Sequence, residues 1–177
     1  MRRLLRPLPV LVAALAFLAF LPALHGAFLN WDDDRNFLWN TGYRGLGPAQ
    51  LRWMVSATWM GHYIPLTWLT LGLNYTLGGM TPWGYHLGNL LIHAANAAVV
   101  FFVARHLLGV ATTSRLAGAS GEAGYGKSAD ATTVAVSLGA GAAALLWAVH
   151  PLNTEAVTYV IKRNESMMGV FYLATLY

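Results

Sequence analysis

Two stretches of this chain, residues 85–104 and 131–149, contain no Asp, Glu, Lys or Arg. A helix rises about 1.5 Å per residue, so each stretch is long enough to cross roughly 30 Å of hydrocarbon. A third apolar stretch, 4–24, is interrupted by Arg6 and by prolines at 7, 9 and 22. A fourth begins at 167 and runs to Tyr177, about half the ~20 residues that a span needs. Composition agrees: 56% of the 177 residues are apolar and 10% are charged, against roughly 25% charged in an ordinary soluble domain. That balance excludes a soluble enzyme, a disordered tail and a nucleic-acid binder. It points to an all-α, polytopic membrane helical bundle of which this chain is a fragment. The absence of cysteine excludes disulfides, thiolate metal sites and a cysteine nucleophile.

The expected order along the chain is an N-terminal transmembrane anchor at 1–24, an outer loop at 25–84 and a second transmembrane helix at 85–108. A cytoplasmic linker at 109–130, a third transmembrane helix at 131–149, a second outer loop at 150–166 and the start of a truncated fourth span at 167–177 follow. Arg2, Arg3 and Arg6 hold the N-terminus in the cytoplasm, and Arg105, Arg115 and Lys127 against Glu122 and Asp130 leave the linker slightly positive. A cleaved signal is the rival reading of 1–24, but Leu24-His25-Gly26-Ala27 is a poor small-x-small cleavage site. The two outer loops therefore share one face of the membrane. In the first of them Pro48 and Pro65 each predict the opening of a short helix. In the second of these helices Leu66, Leu69, Leu73 and Leu77 recur on one arc and Thr67, Thr70 and Asn74 on another, the pattern of an element lying in the membrane interface or against neighbouring helices. In the third span Ala135, Gly139 and Ala143 form a small-residue face that lets another helix approach.

Several constellations carry chemistry. In Trp31-Asp32-Asp33-Asp34-Arg35, adjacent carboxylates raise one another's pKa and the arginine lowers it, so one acid can be poised to take a proton. A solvated acidic loop or a capped helix start is the plainer reading. In His150-Pro151-Leu152-Asn153-Thr154-Glu155 the proline stops the third span and Asn153 or Thr154 can cap a new helix. Along it Glu155, Tyr159 and Arg163 follow at i, i+4 and i+8, lining one face opposite Val157 and Val160; an interfacial helix with an internal ion pair is the alternative. On the second span His86, Asn89, His93 and Asn96 form a polar stripe that faces the bundle interior. His93 and Asn96 fit structural hydrogen bonding, while His86 and Asn89, nearer the outer surface, are as well suited to lining a substrate pocket. Gly121-Glu122-Ala123-Gly124-Tyr125-Gly126-Lys127-Ser128 matches a phosphate-loop pattern but lacks the preceding buried strand, so nucleotide binding is not expected. Asn74-Tyr75-Thr76 and Asn164-Glu165-Ser166 are glycosylation sequons close to the membrane.

Taken in order, Trp31-Asp32-Asp33 with Asn40, Tyr63-Ile64-Pro65-Leu66-Thr67-Trp68-Leu69, Leu73-Asn74-Tyr75 with Leu77-Gly78-Gly79, His86-Leu87-Gly88-Asn89-Leu90-Leu91-Ile92-His93, and His150-Pro151-Leu152 with Glu155-Ala156-Val157 and Arg163 resemble the transmembrane half of the TPR-containing O-mannosyltransferase family. The resemblance runs over about residues 28 to 177. It implies a GT-C-like bundle with short interfacial helices in the first outer loop, an active site at the outer face, and a C-terminal array of 34-residue repeats in the whole protein. It also implies a polyprenyl-phosphate-linked sugar, commonly mannose, as donor and a Ser or Thr hydroxyl of an acceptor protein as partner, in contact with membrane lipid. By position, Asp32 and Asp33 match the catalytic acidic pair. Glu155 and Arg163 match positions of the second outer loop, Arg163 as the group that holds the donor phosphate, with Lys162 or Arg35 as alternatives on chemical grounds; Glu155, His150, His86 and Asn89 are the candidates for the substrate pocket. A divalent cation beside the acidic pair is compatible with this chemistry, although too few oxygen ligands can be counted from sequence to require one. Ile64 stands where a basic residue is frequent in the family and Lys162 where many relatives have Glu or Gly. A membrane-anchored TPR scaffold without catalysis is accordingly the second reading.

Overall fold

A computed structural model describes residues 5–30, 32–114 and 130–177 in full, and the backbone alone at 115–119 and 125–129. Trp31, Glu122 and most of the phosphate-loop pattern lie outside the described residues, as do the side chains of Arg115 and Lys127. The regular structure among the described residues is helical: α1 Leu8–Ala19, α2 Pro48–Ser56, α3 Pro65–Gly78, α4 Pro82–Ala119, α5 Tyr125–Ala148, α6 Leu152–Thr158 and α7 Arg163–Thr175, with short turns of tighter or wider helix at Leu21–His25, Asp34–Leu38 and Val160–Lys162. Three of these helices open on proline, whose missing N–H and fixed φ suit the first turn.

Two helical stretches, Pro82–Ser114 and Asp130–Ala148, are long and apolar enough to cross a membrane. The structure departs from the sequence reading at both. Helix α4 does not stop near Arg105 but continues to Ala119, and α5 begins at Tyr125, so most of the expected linker 109–130 is helical. Ala, Leu and Thr in that stretch carry no helix-stopping signal, and the glycines there are tolerated. At the N-terminus the apolar stretch is divided. Helix α1 ends at Ala19 and a 3-10 turn follows at Leu21–His25 with Pro22 in its first turn. The twelve residues of α1 rise about 18 Å, short of a bilayer by themselves.

The chain divides into two compact units. In the first, made of Met1–Ala19, His93–Pro151 and Gly169–Tyr177, α1 packs on α5 through Val12 and Ala16 against Ala140, Ala144 and Ala148, with Ala97 and Phe101 of α4 completing the core. The small-residue seam that brings these helices together is therefore the 140/144/148 arc. Ala135, Gly139 and Ala143, the arc expected from sequence, are exposed. Both arcs are small, and the one chosen is the one whose methyl groups fit against Val12 and Ala16. His93 and Trp147 stack at 5.4 Å and the His93 ring nitrogen Nε2 lies 3.0 Å from the Ala148 carbonyl, so this histidine is a structural bond within the unit.

The second unit, Phe20–Ile92 and Leu152–Met168, is built on aromatic rings. Phe37, Tyr43, Met54, Trp68, Leu71, Tyr85 and Val160 form its core. Helix α3 turns Thr67, Trp68, Leu71 and Gly72 inward and leaves Leu66, Leu69, Leu73 and Leu77 exposed. Gly72 permits this: a Cβ there would come within 2.9 Å of the Tyr43 and Gly45 carbonyls, so only glycine lets α3 lie against that loop. The inward face thus mixes Thr67 with the apolar Trp68 and Leu71, while four leucines on the outer face stay exposed, which suits an apolar surrounding better than water.

Candidate functional site

The acidic turn lies in the second unit, between the 3-10 turn at Leu21–His25 and the wide helical turn Asp34–Leu38. Asp33 is buried, 1% exposed. The Leu29 N–H donates to its Oδ2 at 2.9 Å, while Oδ1 has no hydrogen-bond partner among the described residues. Burial pushes its pKa up to about 6; the Leu29 N–H pulls it down, and the charges of Asp32 and Asp34 add to the rise. Asp32 and Asp34 are half-buried and Arg35 is exposed. The turn is held by its backbone: Asn36 Nδ2 donates to the Asp32 carbonyl at 2.8 Å, and the Asp32 N–H donates to the Tyr159 hydroxyl at 3.2 Å.

That last bond joins the acidic turn to the second loop, which does not form the single helix expected of it. Tyr159 has an extended backbone, φ −95° and ψ 116°, and separates α6 from the 3-10 turn Val160–Lys162 and from α7. Glu155, Tyr159 and Arg163 consequently do not line one face. Glu155 stays exposed, where Lys162 Nζ lies 3.5 Å from its Oε1 and 2.8 Å from Oε1 of Glu165. Arg163 turns the other way and is 1% exposed. The cause of the break is long-range: Asn89 Nδ2 on α4 donates to the Tyr159 carbonyl at 3.1 Å, pulling that peptide out of helical register.

Arg163 is the centre of the polar core. Its Nε donates to Asn89 Oδ1 at 2.8 Å, Nη1 to Asn74 Oδ1 at 2.5 Å and to Thr70 Oγ1 at 3.3 Å, and Nη2 to the Tyr85 carbonyl at 2.7 Å. All four acceptors are neutral. Burial lowers the guanidinium pKa to about 10, so it stays charged at neutral pH, and neutral oxygens in the plane of the fork replace its lost hydration. Gly88 makes the seat: a Cβ there would lie 2.6 Å from Nη2 and 3.1 Å from Asn74 Oδ1. Asn74 also donates from Nδ2 to the Gly84 carbonyl at 3.0 Å, so the first sequon asparagine is tied into the core by both ends of its amide.

The second unit contains Asp32, Asp33, Arg35, His86, Asn89, Glu155, Lys162 and Arg163; of these, Asn89 bonds directly to Arg163, and Lys162 pairs with Glu155. His86 is buried beside Gly26. His150 is exposed and falls in the first unit. No group of three or more metal-ligating side chains gathers among the described residues. Tyr85, Gly88, Thr70 and Asn74 were not foreseen as partners of Arg163. The available signal was the Thr67, Thr70 and Asn74 arc of α3, a polar stripe with no partner assigned to it.

No protein-family model and no solved structure matches the chain. Among curated proteins it is 36% identical over 169 residues, 91% of its length, to the Drosophila melanogaster protein O-mannosyl-transferase Tmtc1, and 33% identical over 171 residues, 92% of its length, to Tmtc2 of the same fly. It is 34% identical over 112 residues, 63% of its length, to the human protein O-mannosyl-transferase TMTC3. It spans 16%, 15% and 9% of those relatives. Most of the chain is therefore similar in sequence to these transferases, and the chain belongs to the Tmtc protein O-mannosyl-transferase family.

Proposed function

We propose that the protein to which this chain contributes its acidic turn and second loop transfers a sugar, mannose by family resemblance, from a polyprenyl phosphate to a protein Ser or Thr hydroxyl on the outer face of a membrane. The observation that carries this reading is Asp33: a buried carboxyl with one oxygen tethered, the other unpaired among the described residues, and a pKa near 6. A general base works best when its pKa lies close to the working pH, and a dry setting with neighbouring carboxylates supplies that.

In the proposed step the acceptor oxygen attacks the anomeric carbon, its proton passes to Asp33 Oδ1, and the bond from the anomeric carbon to the donor phosphate oxygen breaks. The lipid phosphate leaves with its negative charge, which nearby cations stabilise. Arg35 and the partly exposed Lys162 are the groups within reach of solvent. Arg163 supports them from behind, since its donors are already directed at Asn74, Asn89, Thr70 and the Tyr85 carbonyl. Asp32 shapes the turn through its backbone bonds to Asn36 and Tyr159. Pro82–Ser114 and Asp130–Ala148 cross the membrane, with residues 25–84 and 150–166 on its outer side.

The test is transfer of labelled mannose from a polyprenyl phosphate by the full-length protein in membranes. Asp33→Asn should abolish transfer while the protein inserts normally; full transfer by this variant overturns the assignment. The scaffold reading is favoured by one observation, that Lys162 is paired with Glu155 and Glu165 and Arg163 is engaged, leaving the phosphate little to displace. No labelling by the wild-type full-length protein with any polyprenyl-phosphate sugar would establish it.

A further inference from the structure

The acidic turn is knit together by short-range bonds. The Leu29 N–H to Asp33 Oδ2, Asn36 Nδ2 to the Asp32 carbonyl, the Arg35 N–H to Asp34 Oδ1 and the Trp39 N–H to the Asp34 carbonyl all join neighbours in the chain, so they travel with the turn and cannot aim it. Contacts from further away fix its two ends. At the far end Arg44 Nη2 donates to the Phe37 and Leu38 carbonyls at 2.8 and 2.7 Å, its guanidinium lies 5.9 Å from the centre of the Tyr75 ring of α3, and the Phe37 side chain is sealed in the aromatic core. At the near end, beside Asp33, the Tyr159 hydroxyl of the second loop accepts the Asp32 N–H at 3.2 Å.

Tyr159 is itself held without its hydroxyl. Asn89 Nδ2 donates to its carbonyl at 3.1 Å, and Asn89 Oδ1 in turn accepts from the buried Arg163. The phenol thus reaches the acidic turn from a fixed point of the second loop. Burial, with the charges of Asp32 and Asp33, holds its pKa above the usual phenol range against the pull of the Asp32 N–H, so it keeps its proton at neutral pH and that proton is available to the Asp32 carboxylate. We propose that Tyr159 is a positioning residue for sugar transfer: its hydroxyl fixes the backbone at Asp32, one residue before the base, and so sets where Asp33 Oδ1 meets the acceptor hydroxyl. The inference rests on the role of base given to Asp33 above. A base must come within hydrogen-bond reach of the proton it takes, and a misplacement of about 1 Å costs up to roughly 100-fold in rate.

The experiment follows transfer from polyprenyl-phosphate mannose to a Ser/Thr peptide by the full-length protein in nanodiscs, with hydrogen–deuterium exchange measured on the same samples. Tyr159→Phe deletes one oxygen and leaves both the ring and the Asn89 bond to the carbonyl. It should lower kcat about 10- to 100-fold, leave KM for donor and peptide unchanged, and speed exchange over residues 29–36 while α3, Pro65–Gly78, exchanges as before. An unchanged kcat overturns the proposal, and so does a raised KM at unchanged kcat, which would mean that the phenol touches substrate. Faster exchange throughout α3 also overturns it, since the hydroxyl would then serve the fold at large. Asp33→Asn separates this inference from the reading beneath it. Transfer that survives in that variant, or that is absent from wild type, removes the base and the inference with it; an inactive Asp33→Asn beside a fully active Tyr159→Phe removes the inference alone.

Discussion

At the scale of single residues, Asp33 and Arg163 are both buried charges handled in opposite ways. Asp33 lacks a counter-charge, and its neutral form is favoured by the fold. A folded-state pKa raised above the unfolded value means that its contribution to stability is fully present below about pH 4 and is lost as pH rises through about 6. Asp33→Asn should thus raise thermal stability at pH 8, by about 1–3 kcal/mol, and leave it unchanged near pH 4, while removing transfer. Melting of the detergent-solubilised protein at the two pH values checks this, and destabilisation at pH 8 would contradict the burial argument. Arg163 stays charged, and the four oxygens it serves would all lose a donor if it were removed. Arg163→Gln should cost about 3–5 kcal/mol, and Arg163→Lys only somewhat less, because a single ammonium cannot reach acceptors spread around a planar fork. Gly88→Ala should mimic part of that loss at about 1–3 kcal/mol by pushing on Nη2, measured as a lowered denaturation midpoint.

Elements were legible from sequence wherever a local signal was strong. Pro48 and Pro65 open α2 and α3 as their position predicts, and the Leu66, Leu69, Leu73 and Leu77 arc is the exposed one. Where the signal was periodicity alone, the choice of face went elsewhere. Helix α5 offers small residues on more than one arc, and only the fit of Val12 and Ala16 selects Ala140, Ala144 and Ala148. The two arcs can be told apart by overpacking. Ala144→Leu should destabilise by about 1–3 kcal/mol, whereas Ala143→Leu should change stability by less than about 0.5 kcal/mol, in the same unfolding measurement. The second loop failed as a single helix for a reason no window of sequence contains: its break at Tyr159 is set by Asn89, seventy residues earlier, and by the Asp32 N–H.

At the scale of the whole chain, its 177 residues contain no cysteine, so a cysteine introduced here is the one thiol of this stretch. Leu38→Cys and Leu152→Cys, at positions 49% and 83% exposed, should both react with a membrane-impermeant maleimide on intact cells, and Leu108→Cys should react only after permeabilisation. Labelling of the first two from opposite sides would refute the proposed orientation. What the amino-acid order settled by itself was the inventory: uncharged stretches of spanning length, proline-opened short helices, and a sparse set of charged residues kept to the N-terminus, to residues 25–84 and 150–166 and to the connection 105–130. Those follow from transfer free energies and backbone restrictions, which act residue by residue. The direction in which each charge points was decided only in three dimensions. Arg163 and Glu155 share a loop, yet one is sealed among amide and hydroxyl oxygens from α3 and α4 and the other remains in solvent. Burial and hydrogen-bond saturation depend on what other elements bring to the same place, and it is that meeting, at Asn89, Asn74 and Tyr159, that sets which groups are left for chemistry.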